Sequence, residues 1–517
     1  MSNNPNNNEN KNSLPQYDKN DIEKCINGFK FIMENINDIP KLTNEIIDLS
    51  YNGEIGLKYI RPTSWKILLD TFPKEKNSTI KDWLNLTKEN RKIYKKKLKE
   101  LTSLNKFSGD PLGGCSQKEG WNSFFEDSET KRIIKLDVNR TYQDKDLFCN
   151  EKIKEIECNI LTIWARENKI PGYKQGINEI LAILLYSLYP YYTKSNVKKY
   201  SDDYLNNLIL EPEKNYKELY YYFHDEDYLE SDLFSLLTKM MNYGVKNFFL
   251  DIDTKNNPNE KMTYLNKRCH NIVHKDLRLQ DNRLYNHFVN IDLDCEFVIQ
   301  RWLKCLFDRE FHPKHVEIFW DALLADENQV KSFDFNLADF ICVAMIIFLR
   351  DELVIKDQNE TFQRLFKYPP IESPVPLISL AVNIRNEIKV KEFEEEEKKK
   401  EQEKKNEKMK IKIQEIDKIN QDLMKKKNMN PIDSLDYLAE KKSMYSGVKY
   451  ENNIKQNEKN NNNNNNTNPR VKIEELTLQT KYMLKELRRM FIKYNSKMDK
   501  YDRQKVSSLF DTLEKNI

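Results

Sequence analysis

Two short stretches of this chain carry residue types able to do chemistry together. In "IKLDVNRT", Ile134, Asp137 and Thr141 recur about one helical turn apart, so they share a face with Arg140 at its edge. In "GYKQGINEI", Gly172 and Gly176 bracket Tyr173 and Gln175, immediately before the apolar run Ile177–Leu188. That places a glutamine amide beside a helix N-terminus, where unpaired backbone N–H groups also point outward. A guanidinium stabilises developing negative charge and a carboxamide can orient a water molecule. Taken singly, a surface arginine and a loop glutamine are the plainer readings.

Other constellations are weaker. Gly109 and Gly114 in "GDPLGGCS" have the separation of a phosphate-binding loop, but Cys115 stands where the lysine that reaches the phosphates is needed. No nucleotide site of its own, and hence no cofactor, is expected. "RCHNIVH" sets His270 and His274 at i and i+4 beside Cys269, yet position 271 is Asn and not the Glu of a zinc-protease helix. With no third ligand identifiable, no metal site is expected. Six histidines in all and no GxSxG leave a hydrolase triad without support.

Composition limits the partners. Lys and Arg total 85 against 82 for Asp and Glu, so charge does not point to nucleic acid. The eight cysteines are scattered without a CxxC pair, several inside apolar helical patterns, which suits reduced, buried thiols of a cytosolic protein. The Asn-rich start lacks an apolar signal region, and the longest apolar runs (Ile180–Tyr192 and Phe340–Leu349) fall short of the roughly 20 residues that span a bilayer.

The elements that must hold these groups read as helices. Glycine is scarce, 11 in 517 residues, and apolar positions recur at helical spacing from about 21 to 385. An all-α, multi-helix domain is expected there, with polar surface insertions at about 193–215 and 253–268. Residues 1–20 read as a disordered tail, and 386–430 as a charged helix or linker, its opposed acid and base blocks suiting either. Residues 431–469 read as an Asn-rich low-complexity linker, and 470–517 as a C-terminal helix that docks on the domain or binds a partner.

The two stretches together resemble a known family. "IKLDVNRT" resembles the IxxDxxRT motif, and "YKQGIN" the YxQGM motif, of the TBC domain of Rab GTPase-activating proteins. "YIRPTSWKILL", "YLESDLFSLL", "LYNHF", "RWLKCLFDREF" and "FWDALLAD" follow in the family's order, so the resemblance covers about residues 55–375. Ile177 replaces the usual Met, an apolar exchange of similar volume, and Tyr142-Gln143 stands where the family often has a proline nearby. "SQKEGWNSFFEDSE" and "VAMIIFLRDEL" resemble the sub-group associated with retromer and late endosomes.

The resemblance implies a protein that stimulates GTP hydrolysis by a Rab-family GTPase, which binds GTP and Mg²⁺ itself. It implies that Arg140 acts as an arginine finger in trans and Gln175 as a glutamine finger that orients the attacking water. Asp137, Thr141, Tyr173, Gly176 and Asn178 would support these two. Trp65, Arg301, Trp302, Trp320 and Asp321 are expected to be packing positions. The implied partners are a GTP-bound Rab and trafficking coat or retromer-like proteins, with a cytoplasmic chain recruited to endosomal or other vesicular membranes through them. A catalytically weak TBC scaffold and a helical adaptor unrelated to GTPases are the competing readings.

Overall fold

The computed structural model describes residues 19–104, 115–195, 200–252 and 261–425. The described residues are helical throughout with no β-strand, apart from one isolated bridge between Thr193 and Asp225. The all-α reading holds.

The centre of the domain is the helix Ile177–Leu188. Ile177, Ile180, Leu181, Ala182, Ile183, Leu184, Leu185 and Leu188 are all fully buried, so it is apolar on every side, as an interior helix must be. It packs against Glu151–Glu167, Leu229–Asn242, Pro313–Val330 and Arg61–Leu68. Local chemistry sets the starts of the surrounding helices. The Asn150 side chain accepts the Lys152 and Ile153 amides at the head of Glu151–Glu167, and Asp281 accepts those of Arg283 and Leu284.

Buried charge ties distant segments to this core. Arg61 donates from Nε and Nη2 to Asp321 at 3.0 and 2.8 Å and from Nη1 to Glu317 at 2.9 Å, while Trp65 Nε1 donates to Asp321 at 2.7 Å. Asp232 accepts from Lys66, Arg91 and Tyr192. Burial alone would raise the Asp232 carboxyl, but Arg91 and Lys66 hold it well below the usual range. Trp65, Trp302 and Trp320 are fully buried and Asp321 with them, whereas Arg301 is half-buried, its guanidinium over the Phe366 ring.

Several sequence expectations need correcting. The polar stretches are not purely surface insertions. In the first, Leu205 and Leu208 of the helix Asp202–Leu208 are buried. In the second, Arg268 is buried, paired with Asp339 and donating to the Phe335 carbonyl at 2.8 Å. Polar composition hides burial when the charge has a partner far along the chain. Lys19 and Asn20, assigned to the tail, open the helix Lys19–Glu34. The helix Val375–Lys425 runs through the charged tract, and its buried positions continue to Ile388. The rest of the N-terminal tail, Gly109 and Gly114, the asparagine run and the tail helix lie outside the described residues.

Candidate functional site

Arg140 closes the helix Cys115–Arg140. Ile134, Asp137, Val138 and Thr141 face inward and are buried, which is the face the spacing predicts. The Arg140 guanidinium is held through one terminal nitrogen by Asp137, Nη2 to Oδ1 at 2.7 Å, yet half of the side chain stays in water. Directly after it, Tyr142 takes a positive φ, so the chain turns sharply and Tyr142 hydrogen-bonds Asp308. Burial pushes the Asp308 carboxyl up to about 7, against the Tyr142 hydrogen bond that lowers it.

The glutamine loop is assembled on the same carboxylate. The Tyr173 hydroxyl donates to Asp137 Oδ2 at 2.8 Å and lies 3.2 Å from Asn178 Oδ1. Burial, then the bond to Asp137, pushes the Tyr173 hydroxyl well above its ordinary value, so it remains a donor. Asn178 Oδ1 accepts the Gly176 amide at 3.0 Å, which fixes the orientation of its carboxamide. Asn178 Nδ2 then donates to Thr141 Oγ1 at 2.9 Å, and Thr141 donates onward to the Asp137 carbonyl at 2.8 Å. The ring of contacts runs Asp137, Tyr173, Asn178, Thr141 and back to Asp137.

Gly176 has φ +111, a conformation that disfavours a side chain, and a Cβ there would meet Cys305 Sγ and the Phe249 ring at 3.2 Å. It caps the central helix, and Gln175 before it is exposed. The structure thus brings Asp137, Arg140, Thr141, Tyr173, Gly176 and Asn178 into one connected site, with Gln175 on its loop.

Sequence reasoning missed two anchors. Arg309 grips Glu179, in the first turn of the central helix, through two bonds of 2.7 and 2.6 Å, and Asp308 holds Tyr142. Nothing local marks either residue. Their only sequence signal is the "FDREF" segment itself, which was read as part of a family motif.

The cysteine expectation is met in part. Cys25, Cys269, Cys295, Cys305 and Cys342 are buried free thiols, whereas Cys149 is exposed. No helix of the described residues is long and apolar enough to cross a membrane.

The all-helical domain, with Arg140 at the end of one helix and Gln175 just before the central helix, matches a known family. The Rab-GTPase-TBC domain model matches residues 58–354, more than half of the chain, and the chain belongs to that family. Mouse TBC1 domain family member 5 is 27% identical over 365 residues, covering 65% of this chain and 41% of that protein. TBC1 domain family member 5 homolog B of Dictyostelium discoideum is 22% identical over 451 residues, covering 67% and 42%. The chain therefore spans about two fifths of the length of these relatives. Among solved structures, the Ypt/Rab-GAP domain of Gyp1p shares the fold, with a TM-score of 0.50, 22% identity, and coverage of 71% of this chain and 99% of that one.

Proposed function

We propose that this chain accelerates GTP hydrolysis by a Rab-family GTPase, supplying two groups that the GTPase lacks or positions poorly. The partner holds GTP and Mg²⁺. Arg140 offers its guanidinium to the charge that builds on the transferred phosphoryl group, and Gln175 offers its carboxamide to the attacking water. The observation that carries the reading is the state of Arg140. One terminal nitrogen of its guanidinium, Nη2, is anchored on a buried carboxylate while half of the side chain stays exposed, so the group is aimed and can still be offered to another protein's site. Ile133, Leu136 and Ile170, exposed apolar residues on the same two elements, suit contact with a protein surface.

Asp137 is a positioning residue for both fingers, since it pairs Arg140 through one oxygen and Tyr173 through the other. The partner and the membrane follow from the same reading: a GTP-loaded, lipidated Rab brings the chain to a vesicular membrane. The resemblance of "SQKEGWNSFFEDSE" and "VAMIIFLRDEL" to the sub-group associated with retromer and late endosomes favours an endosomal one, with coat or retromer-like proteins as further partners.

The test is a panel of purified GTP-loaded Rabs assayed for hydrolysis with and without this protein. At least one should be stimulated, and Arg140→Lys should restore little of what Arg140→Ala loses, because a point charge lacks the planar fork. A cognate Rab with its switch glutamine changed to alanine should still respond, and Gln175→Ala should abolish the response of both forms. If the altered Rab is resistant while Gln175→Ala stays active on the wild-type Rab, Gln175 is a loop residue only. Binding to GTP-loaded Rabs without stimulation of any would make the chain a scaffold.

A further inference from the structure

The pair His270 and His274 acquires in the fold the third ligand that its sequence neighbourhood lacks. His270 lies in the helix Tyr264–Asn271, and His274 in the π-helical turn Ile272–Leu277 that continues it. The helix Cys295–Lys304 packs across the first of these and brings Glu296 to the two rings. Glu296 Oε1 lies 2.9 Å from His270 Nδ1 and 2.9 Å from His274 Nε2. All three donor atoms fall within 4.8 Å of one another. Glu296 is 22 residues beyond His274, on a different helix, so no local motif could have announced it.

We infer that His270 Nδ1, His274 Nε2 and Glu296 form a three-ligand site for a zinc-class divalent cation. Two imidazole nitrogens and one carboxylate oxygen are a donor set that suits Zn²⁺ and its first-row neighbours. Tetrahedral bonds of ~2.0–2.1 Å to nitrogen and oxygen need donors separated by roughly 3.3 Å, so the 2.9 Å contacts need open by only a few tenths of an ångström.

The alternative is hydrogen bonding alone. Both rings must then present an N–H to one carboxylate oxygen while their centroids lie 4.3 Å apart. Two neutral rings can do this, His270 through Nδ1–H and His274 through Nε2–H with Tyr285 donating to its Nδ1, so the two arrangements differ in whether one ion replaces those two protons. A single divalent ion accommodates two neutral imidazoles and the carboxylate together.

Two independent features support a ligand. The Tyr285 hydroxyl lies 3.0 Å from His274 Nδ1, the nitrogen not used for the ion, and can accept its N–H, the arrangement that leaves the Nε2 lone pair for the ion. The π-turn starts between the two histidines, and such insertions into α-helices concentrate at functional sites. The side chains of His270, His274 and Glu296 are 50%, 39% and 30% exposed, so an ion can enter and a water can complete its coordination. Cys269 is buried and takes no part. The ion would clamp the helix Tyr264–Asn271 to the helix Cys295–Lys304.

The experiment uses the full-length chain without a polyhistidine tag, stripped with chelator and titrated with Zn²⁺ by calorimetry. Thermal unfolding and the visible spectrum of the Co²⁺ form are followed in parallel. The expected result is one saturable equivalent, a raised Tm, and a Co²⁺ spectrum without intense thiolate charge-transfer bands. His274→Ala and Glu296→Ala should each weaken binding at least ~10-fold, and Tyr285→Phe about 10-fold, as loss of an orienting partner does. His315→Ala, in the helix Pro313–Val330 and away from the three ligands in sequence, should change nothing. Far-UV circular dichroism of the metal-free variants shows that they fold, and His270→Asn supplies a milder second ligand variant with the same expected loss. Absence of saturable binding, binding unmoved by the ligand substitutions, or thiolate bands in the Co²⁺ form would each overturn the site.

Discussion

Arg61 and Arg140 are both held by aspartate, and the contrast between them separates scaffold from site. The Arg61 side chain is 7% exposed, with bonds from three nitrogens to Asp321 and Glu317. Arg140 is 52% exposed and has one carboxylate, on a single terminal nitrogen. A buried guanidinium must have its donors matched within the chain, because each unmatched one bears a desolvation cost. A guanidinium meant for another molecule must keep donors free, and only its direction need be set. Satisfaction marks Arg61 as structural; incompleteness is what the role proposed for Arg140 requires.

The largest expected effect falls on the incomplete one. Arg140→Ala should lower stimulated GTP hydrolysis by ~10³–10⁵-fold while thermal unfolding stays near wild type. Stimulation within a few fold of wild type would erase the functional half of the contrast. Next comes the scaffold. Asp321→Ala strips Arg61 and Trp65 of their shared acceptor and should cost about 3–5 kcal/mol in denaturant unfolding, the scale of a broken buried pair. A loss below ~1 kcal/mol would mean that Glu317 alone satisfies Arg61.

Glu157 sharpens the comparison from the acid side. It is fully buried on the helix Glu151–Glu167, both carboxylate oxygens lack a partner, and burial pushes it up to about 8. A raised carboxyl binds its proton more tightly in the folded state than in the unfolded one. Its contribution is therefore fully present below its ordinary value and is lost as pH rises through about 8. Glu157→Gln removes that ionisation. The stability of the variant relative to wild type should rise between pH 5.5 and pH 9, by on the order of a few kcal/mol. A constant difference across that range would show that Glu157 does not titrate there. The smallest effect belongs to Tyr173→Phe, which removes one bond to Asp137 and should reduce stimulation by roughly 3–10-fold, the worth of about 1 kcal/mol. A larger loss with unchanged binding to the GTPase would give the hydroxyl a role beyond holding Asp137.

Legibility followed the range of the interactions. The central helix could be read from its apolar run because burial on every side leaves an unbroken apolar sequence. Within each stretch the grouping was legible, Asp137, Arg140 and Thr141 lying within four positions and Tyr173 to Asn178 within five, but the bonds that join the two stretches span 36 and 37 positions and were not. Charged residues with distant partners were not legible. Arg268 sat in a stretch read as surface, because only the folded chain sets Asp339 beside it. Glu296 was one carboxylate among many until a second helix carried it to His270 and His274. A polar side chain shows its type in the sequence, and its burial is decided by what arrives from elsewhere.

The anchors of the site also set an order of events in time. Tyr142 reaches Asp308 across 166 positions, and Glu179 reaches Arg309 across 130. During synthesis both finger segments leave the ribosome long before the residues that brace them exist. Closing loops of this length comes late in folding, since the chain gives up its freedom before the contacts repay it. The nascent protein therefore carries Arg140 and Gln175 without this bracing, and the site is complete only once the segment around Asp308 and Arg309 has docked. On the proposed function, a chain built this way would stimulate no GTPase until most of its domain has been made.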